Sequence, residues 1–270
     1  MTGQTKPSVA LIGAGAMGGA LLKGWLAAGT IDSARSAVFD PNITEDMARL
    51  CAKKDVAVNK GEGFDAMLVA VKPQIAGEVL PHYAALAESA IVISVMAGKS
   101  VATIQNMLNG APRVARVMPN LPAAIGRGVS GLYAPDAIDA DGRTLIETLM
   151  RAAGETVWVE TEKEIDFVTA VSGSGPAYYF LLTEALAEAG ASLGLDKTAA
   201  AALARATLAG AGAMMDADLR SPAEMRKAVT SPGGTTEAAL KVFDGDDAAM
   251  RKLVEKAVKA AAKRAGELTD

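Results

Sequence analysis

Val9-Ala10-Leu11-Ile12-Gly13-Ala14-Gly15-Ala16-Met17-Gly18 carries the main topological signal of the chain. Four apolar residues run into a Gly-x-Gly-x-x-Gly turn, after which Leu21, Leu22, Trp25 and Leu26 recur at helical spacing. That pattern reads as strand, tight turn and helix. Gly29 stands where a helix C-cap glycine belongs, and Ala37-Val38-Phe39 supplies a second short strand ending at Asp40. In such a βαβ context the glycine pattern, weak by itself, points to a dinucleotide whose pyrophosphate rests on the free N–H groups at the helix start. Asp40 is placed to accept a hydrogen bond from a ribose hydroxyl and to repel a 2′-phosphate. Pro41-Asn42-Ile43 offers no arginine to receive that phosphate, so these residues alone lean towards NAD. The competing readings are a purely structural glycine turn and an exposed turn aspartate before proline.

Working outward, the alternation continues. A helix is expected after Thr44, a strand over Ala66 to Val71, a helix after Gln74 and a strand over Ala90 to Val95. Then come a helix after Ser100, strands over Val114 to Met118 and near Val129 to Tyr133, a helix from about Asp141 to Ala153 stopped by Gly154, and a strand over Thr156 to Val159. Strands alternating with helices imply a mostly parallel sheet covered on both faces. After Glu160 the strands stop, and helices are expected over Pro176 to Ala189, Thr198 to Met215, Pro222 to Val229 and Asp247 to about Leu268. Ser221-Pro222-Ala223-Glu224 is a capping box with proline at the first helical position. The expected organisation is an α/β domain over residues 1–160 and an all-helical domain over residues 161–270.

Composition bounds the function. At 270 residues, one large domain or two modest ones are expected, and a content half hydrophobic and 21% charged is that of a globular chain rather than a disordered one. The net charge of −4 and the lack of a basic block argue against nucleic acid. With one cysteine, Cys51, and one histidine, His82, neither an internal disulfide nor a metal cluster can be built. Lys23, Lys72, Lys99 and Arg205 interrupt the greasiest runs before they reach the ~20 residues of a membrane helix, and no secretory leader pattern opens the chain. A soluble, cytoplasmic protein of a reducing compartment is expected.

Thr198 to Met215 carries a single charge, Arg205, and is otherwise small and apolar all round. A helix apolar on every face must be buried on every face, so a second copy of the chain is expected to cover it, the alternative being the first domain. Val69-Ala70-Val71-Lys72-Pro73-Gln74 puts a lysine and a proline just beyond a strand's carboxyl end, the edge where open α/β sheets bind ligands. Asn59, Ala97-Gly98 and Met118-Pro119-Asn120 fall in loops that could line the same edge. Two small-residue stretches, Ser172-Gly173-Ser174-Gly175-Pro176 and Thr230-Ser231-Pro232-Gly233-Gly234-Thr235-Thr236, read as loops that feed helix N-termini and present N–H groups to an anion. Ordinary capping would account for one of them. His82 reads as a surface or half-buried histidine and Cys51 as a packed small hydrophobe.

Taken together, these stretches resemble the pyrroline-5-carboxylate reductase family over nearly the whole chain. Its most specific signatures are Ala170-Val171-Ser172-Gly173-Ser174-Gly175-Pro176-Ala177-Tyr178 and Val229-Thr230-Ser231-Pro232-Gly233-Gly234-Thr235-Thr236, with support from Ala70 to Gln74 and Val117 to Asn120. The resemblance implies a Rossmann-like N-terminal domain and a helical C-terminal dimerisation domain that interlocks with its twin, often within a ring of dimers. It implies reduction of the cyclic imine 1-pyrroline-5-carboxylate to L-proline, the last step of proline biosynthesis, by hydride transfer from NADP(H), with NAD(H) as the alternative that Asp40 suggests. Carried over onto this chain, cofactor contacts fall on Gly13, Gly15, Ala16, Met17, Gly18, Asp40, Asn59, Ala70, Lys72, Pro73 and Ala97. Contacts to imine or proline fall on Glu162, Ser231, Gly234, Thr235 and Thr236. The Thr236 hydroxyl is implied as the catalytic contact to the imine nitrogen, acting as a hydrogen-bonding orienter while solvent supplies the proton. Where this chain has Ala228, some relatives carry a polar side chain near the cofactor.

Two other readings compete. A β-hydroxyacid dehydrogenase shares the architecture but needs a catalytic lysine one turn into a helix after a glycine motif, and Ala177-Tyr178-Tyr179-Phe180-Leu181-Leu182 has none. A non-catalytic dinucleotide sensor would have no reason to retain Ser231 to Thr236.

Overall fold

The computed structural model describes residues 6–269. Eight strands, β1 (Val9–Ile12), β2 (Ala37–Phe39), β3 (Ala57–Val58), β4 (Ala66–Val69), β5 (Ile91–Ser94), β6 (Val114–Met118), β7 (Gly128–Tyr133) and β8 (Gly154–Trp158), form one sheet ordered β3-β2-β1-β4-β5-β6-β7-β8. All neighbours are parallel except β6 and β7, which run antiparallel. The order reverses at β1, where Ile12 pairs with Phe39 on one side and Val69 on the other. Connections leaving a reversal point diverge to opposite faces and open a crevice beyond the strand ends. β3, two residues long, is too short to carry a periodic signal, whereas the other strands appear where the apolar runs place them.

The helices are α1 (Ala16–Ala28), α2 (Glu45–Lys53), α3 (Ala76–Val79), α4 (Ala84–Ala87), α5 (Val101–Met107), α6 (Ala140–Arg151), α7 (Glu164–Val168), α8 (Gly175–Ser192), α9 (Lys197–Ala217), α10 (Pro222–Ala228), α11 (Thr235–Asp244) and α12 (Ala249–Leu268). Side-chain caps start several of them: Thr44 accepts from Met47 N–H, Ser100 from Thr103 N–H, Asp139 from Gly142 N–H, and Ser221 and Glu224 close the expected capping box. The helix expected after Gln74 is instead broken into α3 and α4 by 3₁₀ turns at Pro73–Ile75 and Leu80–Tyr83. Pro81, lacking an N–H, accounts for the second interruption.

The sheet core divides by strand parity. Val9 and Leu11 face Leu21, Leu22, Trp25 and Leu149, while Ala10 and Ile12 face Leu80, Ile104 and Leu108 on the other side. Trp25 is fully buried, and its indole N–H donates to the Leu149 carbonyl at 2.7 Å, so this large ring is sealed in without an orphaned donor. Cys51 is packed in the same core, and burial pushes its thiol above the ordinary range against a smaller opposing backbone hydrogen bond.

The chain forms two compact units. One runs to Ser174 and takes back the chain from Ala261; the other is Gly175–Ala260. The strand-bearing unit thus includes α7 and the end of α12, where the Thr269 hydroxyl donates to Asp166 Oδ1 at 3.2 Å. The helical unit is built on α8 packed along α9. In α9 only Ala200 and Ala204 are buried, while Leu203, Met214 and Met215 are exposed, as are Phe180 and Leu181 of α8. The Ser172 to Pro176 stretch is not the loop that its small residues suggest. Thr169–Gly173 is a π-helical turn, with Ser174 N–H donating to the Thr169 carbonyl, and α8 begins at Gly175. The Ser174 amide is thus spent on a helix-type bond, and the stretch continues a helical run instead of presenting a free loop to an anion.

Candidate functional site

The glycine turn after β1 has three glycines with three different constraints. Gly13 has φ +92°, and a Cβ there would lie 2.9 Å from the Ala70 carbonyl oxygen. A Cβ on Gly18 would collide with the Gly13 carbonyl oxygen. Gly15 is different: its φ is −65° and a Cβ would meet nothing within 4 Å. It caps α1 without a side-chain hydrogen bond, and the first turn of α1 carries no acidic residue. The N–H groups of Ala16, Met17 and Gly18, the first three of that helix, therefore have no intrahelical acceptor and point out at an unblocked space. This cradle fits a pyrophosphate. Gly13 and Gly18 make the turn possible, and Gly15 leaves it open.

Gly13 and Gly15 border a crevice of about 410 Å³ at the β1/β4 reversal, lined also by Asp40, Ala70, Lys72, Phe39, Ile75 and Tyr83. Phe39 meets Tyr83 edge-on, with ring centroids 5.4 Å apart. Burial, with a smaller contribution from the Asp40 charge, pushes the Tyr83 phenol above its usual range. These aromatics were missed in the sequence because Phe39 ends a three-residue strand and Tyr83 follows the Pro81 break, where no periodic pattern marks a shared face.

Asp40 is less free than its position suggests. Its Oδ2 accepts the Ala14 N–H at 2.8 Å and its Oδ1 the Asn42 N–H at 2.9 Å, so the carboxylate ties the glycine turn to the turn after β2. Lone pairs remain on both oxygens for a ribose hydroxyl. Asn59 braces the same residue from behind: its Oδ1 accepts the Asp40 N–H at 2.9 Å and its Nδ2 donates to the Asp40 carbonyl at 3.2 Å. Lys72 is exposed at the crevice edge and Pro73 opens the 3₁₀ turn beyond it. Asn59, Pro73 and Ala97 do not line the crevice.

Ala97 sits in the loop between β5 and α5. The Ser94 hydroxyl accepts the Met96 N–H at the start of that loop, and Gly98, at φ +68°, lies so close to the end of α12 that a Cβ would fall 2.5 Å from the Leu268 carbonyl oxygen. At the loop's far end Glu162 Oε1 accepts the Val101 N–H at 2.7 Å and the Arg116 Nη1–H at 3.1 Å. Of the Met118-Pro119-Asn120 turn, Asn120 is structural: its Oδ1 accepts the Val129 N–H and its Nδ2 donates to the Ser172 carbonyl.

In the helical unit, the turn before α11 is shaped by Gly233 at φ +71°. Two of its amides are already engaged, Gly233 N–H by Glu237 Oε2 at 2.8 Å and Gly234 N–H by the Ser231 carbonyl at 3.0 Å. The Gly233 N–H, helped by Lys241, holds the Glu237 carboxyl below its usual range. Thr235 and Thr236 follow as the first two residues of α11, with Gly234 as an N-cap that makes no side-chain bond. Their N–H groups have no intrahelical acceptor. Among the described residues neither threonine hydroxyl is hydrogen-bonded. The anion-holding groups here are thus narrower than the whole Ser231 to Thr236 loop.

Among the described residues no helix is long and apolar enough to cross a membrane. Two family models match the chain: pyrroline-5-carboxylate reductase dimerisation over residues 162–268, and NADP oxidoreductase coenzyme F420-dependent over residues 8–98. The pyrroline-5-carboxylate reductase of Pseudomonas aeruginosa is 40% identical over 271 residues, covering 98% of this chain and 97% of that protein. That of Haemophilus influenzae is 37% identical, covering 96% and 97%. Among solved structures, a pyrroline-5-carboxylate reductase from Coxiella burnetii matches with a TM-score of 0.90 at 35% identity, covering 98% of this chain and 100% of that one. Plasmodium falciparum pyrroline carboxylate reductase with NADP bound matches at 0.81 with 25% identity, covering 99% and 100%. The likeness runs through both compact units, from the glycine turn to the end of α12, and the chain belongs to the pyrroline-5-carboxylate reductase family.

Proposed function

We propose that this protein reduces 1-pyrroline-5-carboxylate to L-proline, the closing step of proline biosynthesis, with NADP(H) as its cofactor. One observation carries the reading: a chain 40% identical to a named reductase over nearly its whole length keeps both an open glycine cradle and an unengaged Thr235-Thr236 helix start. The NADP held by the Plasmodium falciparum relative supports that cofactor, while Asp40 beside an arginine-free Pro41-Asn42-Ile43 favours some use of NAD(H).

A bound nicotinamide supplies the hydride that reduces the imine carbon. The protein's part is to hold the reactants, and orientation of this kind is worth roughly 7 to 11 kcal/mol of barrier. The helix start at Gly15 to Gly18 receives pyrophosphate, Asp40 a ribose hydroxyl, and Ala70 and Lys72 border the cofactor's crevice, with Asn59 acting through Asp40 and with Pro73 and Ala97 as further contacts that the family resemblance assigns. The substrate carboxylate rests on the N–H groups of Thr235 and Thr236, where the macrodipole of α11 favours an anion. Ser231 and Gly234 shape that turn. The Thr236 hydroxyl accepts or donates at the ring nitrogen, which takes its proton from solvent, and the family resemblance assigns Glu162 as a further substrate contact.

Residues 1–160 then serve the dinucleotide and residues 161–270 the substrate and the twofold partner. The exposed apolar residues of α8 and α9 suit a homodimer interface, and light scattering separates a dimer from a ring of dimers.

The test is loss of reduced-nicotinamide absorbance on adding pyrroline-5-carboxylate, with NADPH and NADH run side by side and proline identified as product. Turnover with proline formed is the expected result. Cofactor binding without turnover would sink the assignment and promote the sensor reading.

A further inference from the structure

Arg116 lies in the middle of β6 with its side chain 2% exposed. Its Nη1 donates to Glu162 Oε1 at 3.1 Å, and among the described residues its Nε has no hydrogen-bond partner. A buried guanidinium with an orphaned N–H is costly, and the cost is offset only if its charge meets an opposite one. Glu162 is that opposite charge. The same oxygen accepts the Val101 N–H at 2.7 Å, at the end of the loop that holds Ala97 and Gly98. The Glu162 side chain remains 30% exposed, and its Oε2 has no partner among the described residues.

We propose that Arg116 is a positioning residue: it pins one oxygen of Glu162 against the start of α5, so that the other faces the substrate and the 95–100 loop keeps its place. This rests on the functional reading above, in which Glu162 meets the substrate ring. The geometry supports a one-sided clamp. Strand position explains why a long cationic side chain is needed: Arg116 pairs with Ser94 on one side and Tyr133 on the other, so only such a side chain spans from mid-sheet to a carboxylate after β8. The contact to Glu162 is through one nitrogen, so lysine, which carries the same charge on a side chain of similar reach, keeps most of it.

A double-mutant cycle on the full-length enzyme tests this, using Arg116→Met, Arg116→Lys, Glu162→Gln and the Arg116→Met/Glu162→Gln pair. Arg116→Met should raise KM for pyrroline-5-carboxylate about tenfold or more, with kcat within about threefold and the Kd of NADPH within about twofold. Arg116→Lys should recover most of the KM loss. In the Glu162→Gln background Arg116→Met should change KM by less than about twofold, because a residue acting through another has no effect once that other is disabled. Equal KM effects in the two backgrounds would overturn the proposal, as would parallel losses in kcat and cofactor affinity. If Arg116→Met fails to fold, Arg116→Gln, uncharged but still polar, takes its place in the cycle with the same expected non-additivity. Hydrogen exchange supplies a readout independent of turnover: protection of the Val101 amide should fall about tenfold in Arg116→Met, while that of Thr103, held by Ser100, stays. Unchanged Val101 exchange would also overturn it. If the wild type fails to reduce the imine, the functional reading has failed, and the exchange result still decides whether Arg116 holds Glu162 on α5.

Discussion

Substituting Gly15 and Gly18 separately by alanine discriminates between a glycine turn that shapes the backbone and one that admits a ligand. At Gly15 the backbone lies at φ −65° and a methyl group meets no atom within 4 Å, so alanine fits the folded chain. Two terms then oppose each other. Alanine lowers unfolded-chain entropy, worth about 0.4 to 1 kcal/mol of stability, and it is a poorer N-cap than glycine by a comparable amount. Net stability should change by less than about 1 kcal/mol, or a few degrees in Tm. Cofactor binding should nevertheless weaken about tenfold or more, equivalent to ~1.4 kcal/mol, because the methyl group occupies the approach to the α1 amides. Gly18→Ala should behave in the opposite sense. Its Cβ collides with the Gly13 carbonyl oxygen, a backbone atom that cannot swing aside, so the turn must open and the fold should lose ~1–3 kcal/mol, the scale of other strained or overpacked sites. Thermal unfolding and titration of NADPH by fluorescence read the two quantities separately. Wild-type NADPH affinity in Gly15→Ala would refute the pyrophosphate cradle, and a Tm loss there equal to that of Gly18→Ala would refute the assignment of open space.

Thr236→Ala should lower kcat/KM for the imine by about 2- to 12-fold, the worth of one neutral hydrogen bond, with NADPH affinity unchanged; a loss above ~100-fold in steady-state assays would instead make the hydroxyl a general acid. Asp40→Asn should raise the NADPH-to-NADH ratio of kcat/KM by about tenfold, the scale of one screened like-charge contact, and an unchanged ratio would show that the 2′-phosphate lies elsewhere. The acid limb of stability should depend on Asp65. Burial pushes its carboxyl up, but the Ser8 N–H and hydroxyl, both at 2.7 Å, together with Arg35 outweigh that and hold it below 3.8. A folded value below the unfolded one contributes stability that is present above pH 3.8 and is lost as pH falls through the folded value, so Asp65→Asn should flatten denaturation midpoints across that window. The side chain is half exposed, and the effect should stay below about 1 kcal/mol.

Much of the dinucleotide half is legible locally. The run from Val9 to Gly18 states strand, turn and helix, β1, β2, β4 and β5 each carry their own apolar run, and Ser100 and Ser221 announce their helices as caps. Local rules failed where small residues had two uses. Ser172 to Pro176 and Ser231 to Thr236 look alike in composition, yet one closes a π-helical turn and the other opens α11. Glycine and serine tolerate both conformations, so composition does not separate them.

Legible in the chain alone are the longer strands and helices, the glycine turn that fits a pyrophosphate, and an apolar helix in need of a partner, because each follows from spacing within one or two turns of chain. Folding brings together what is distant in the chain: Asp40 accepts from the Ala14 amide, Phe39 and Tyr83 wall the crevice, and Glu162 is gripped by an arginine 46 residues away. Those contacts depend on which strands become neighbours. Strand order is set by burial of the whole sheet, and no local pattern of side chains records it.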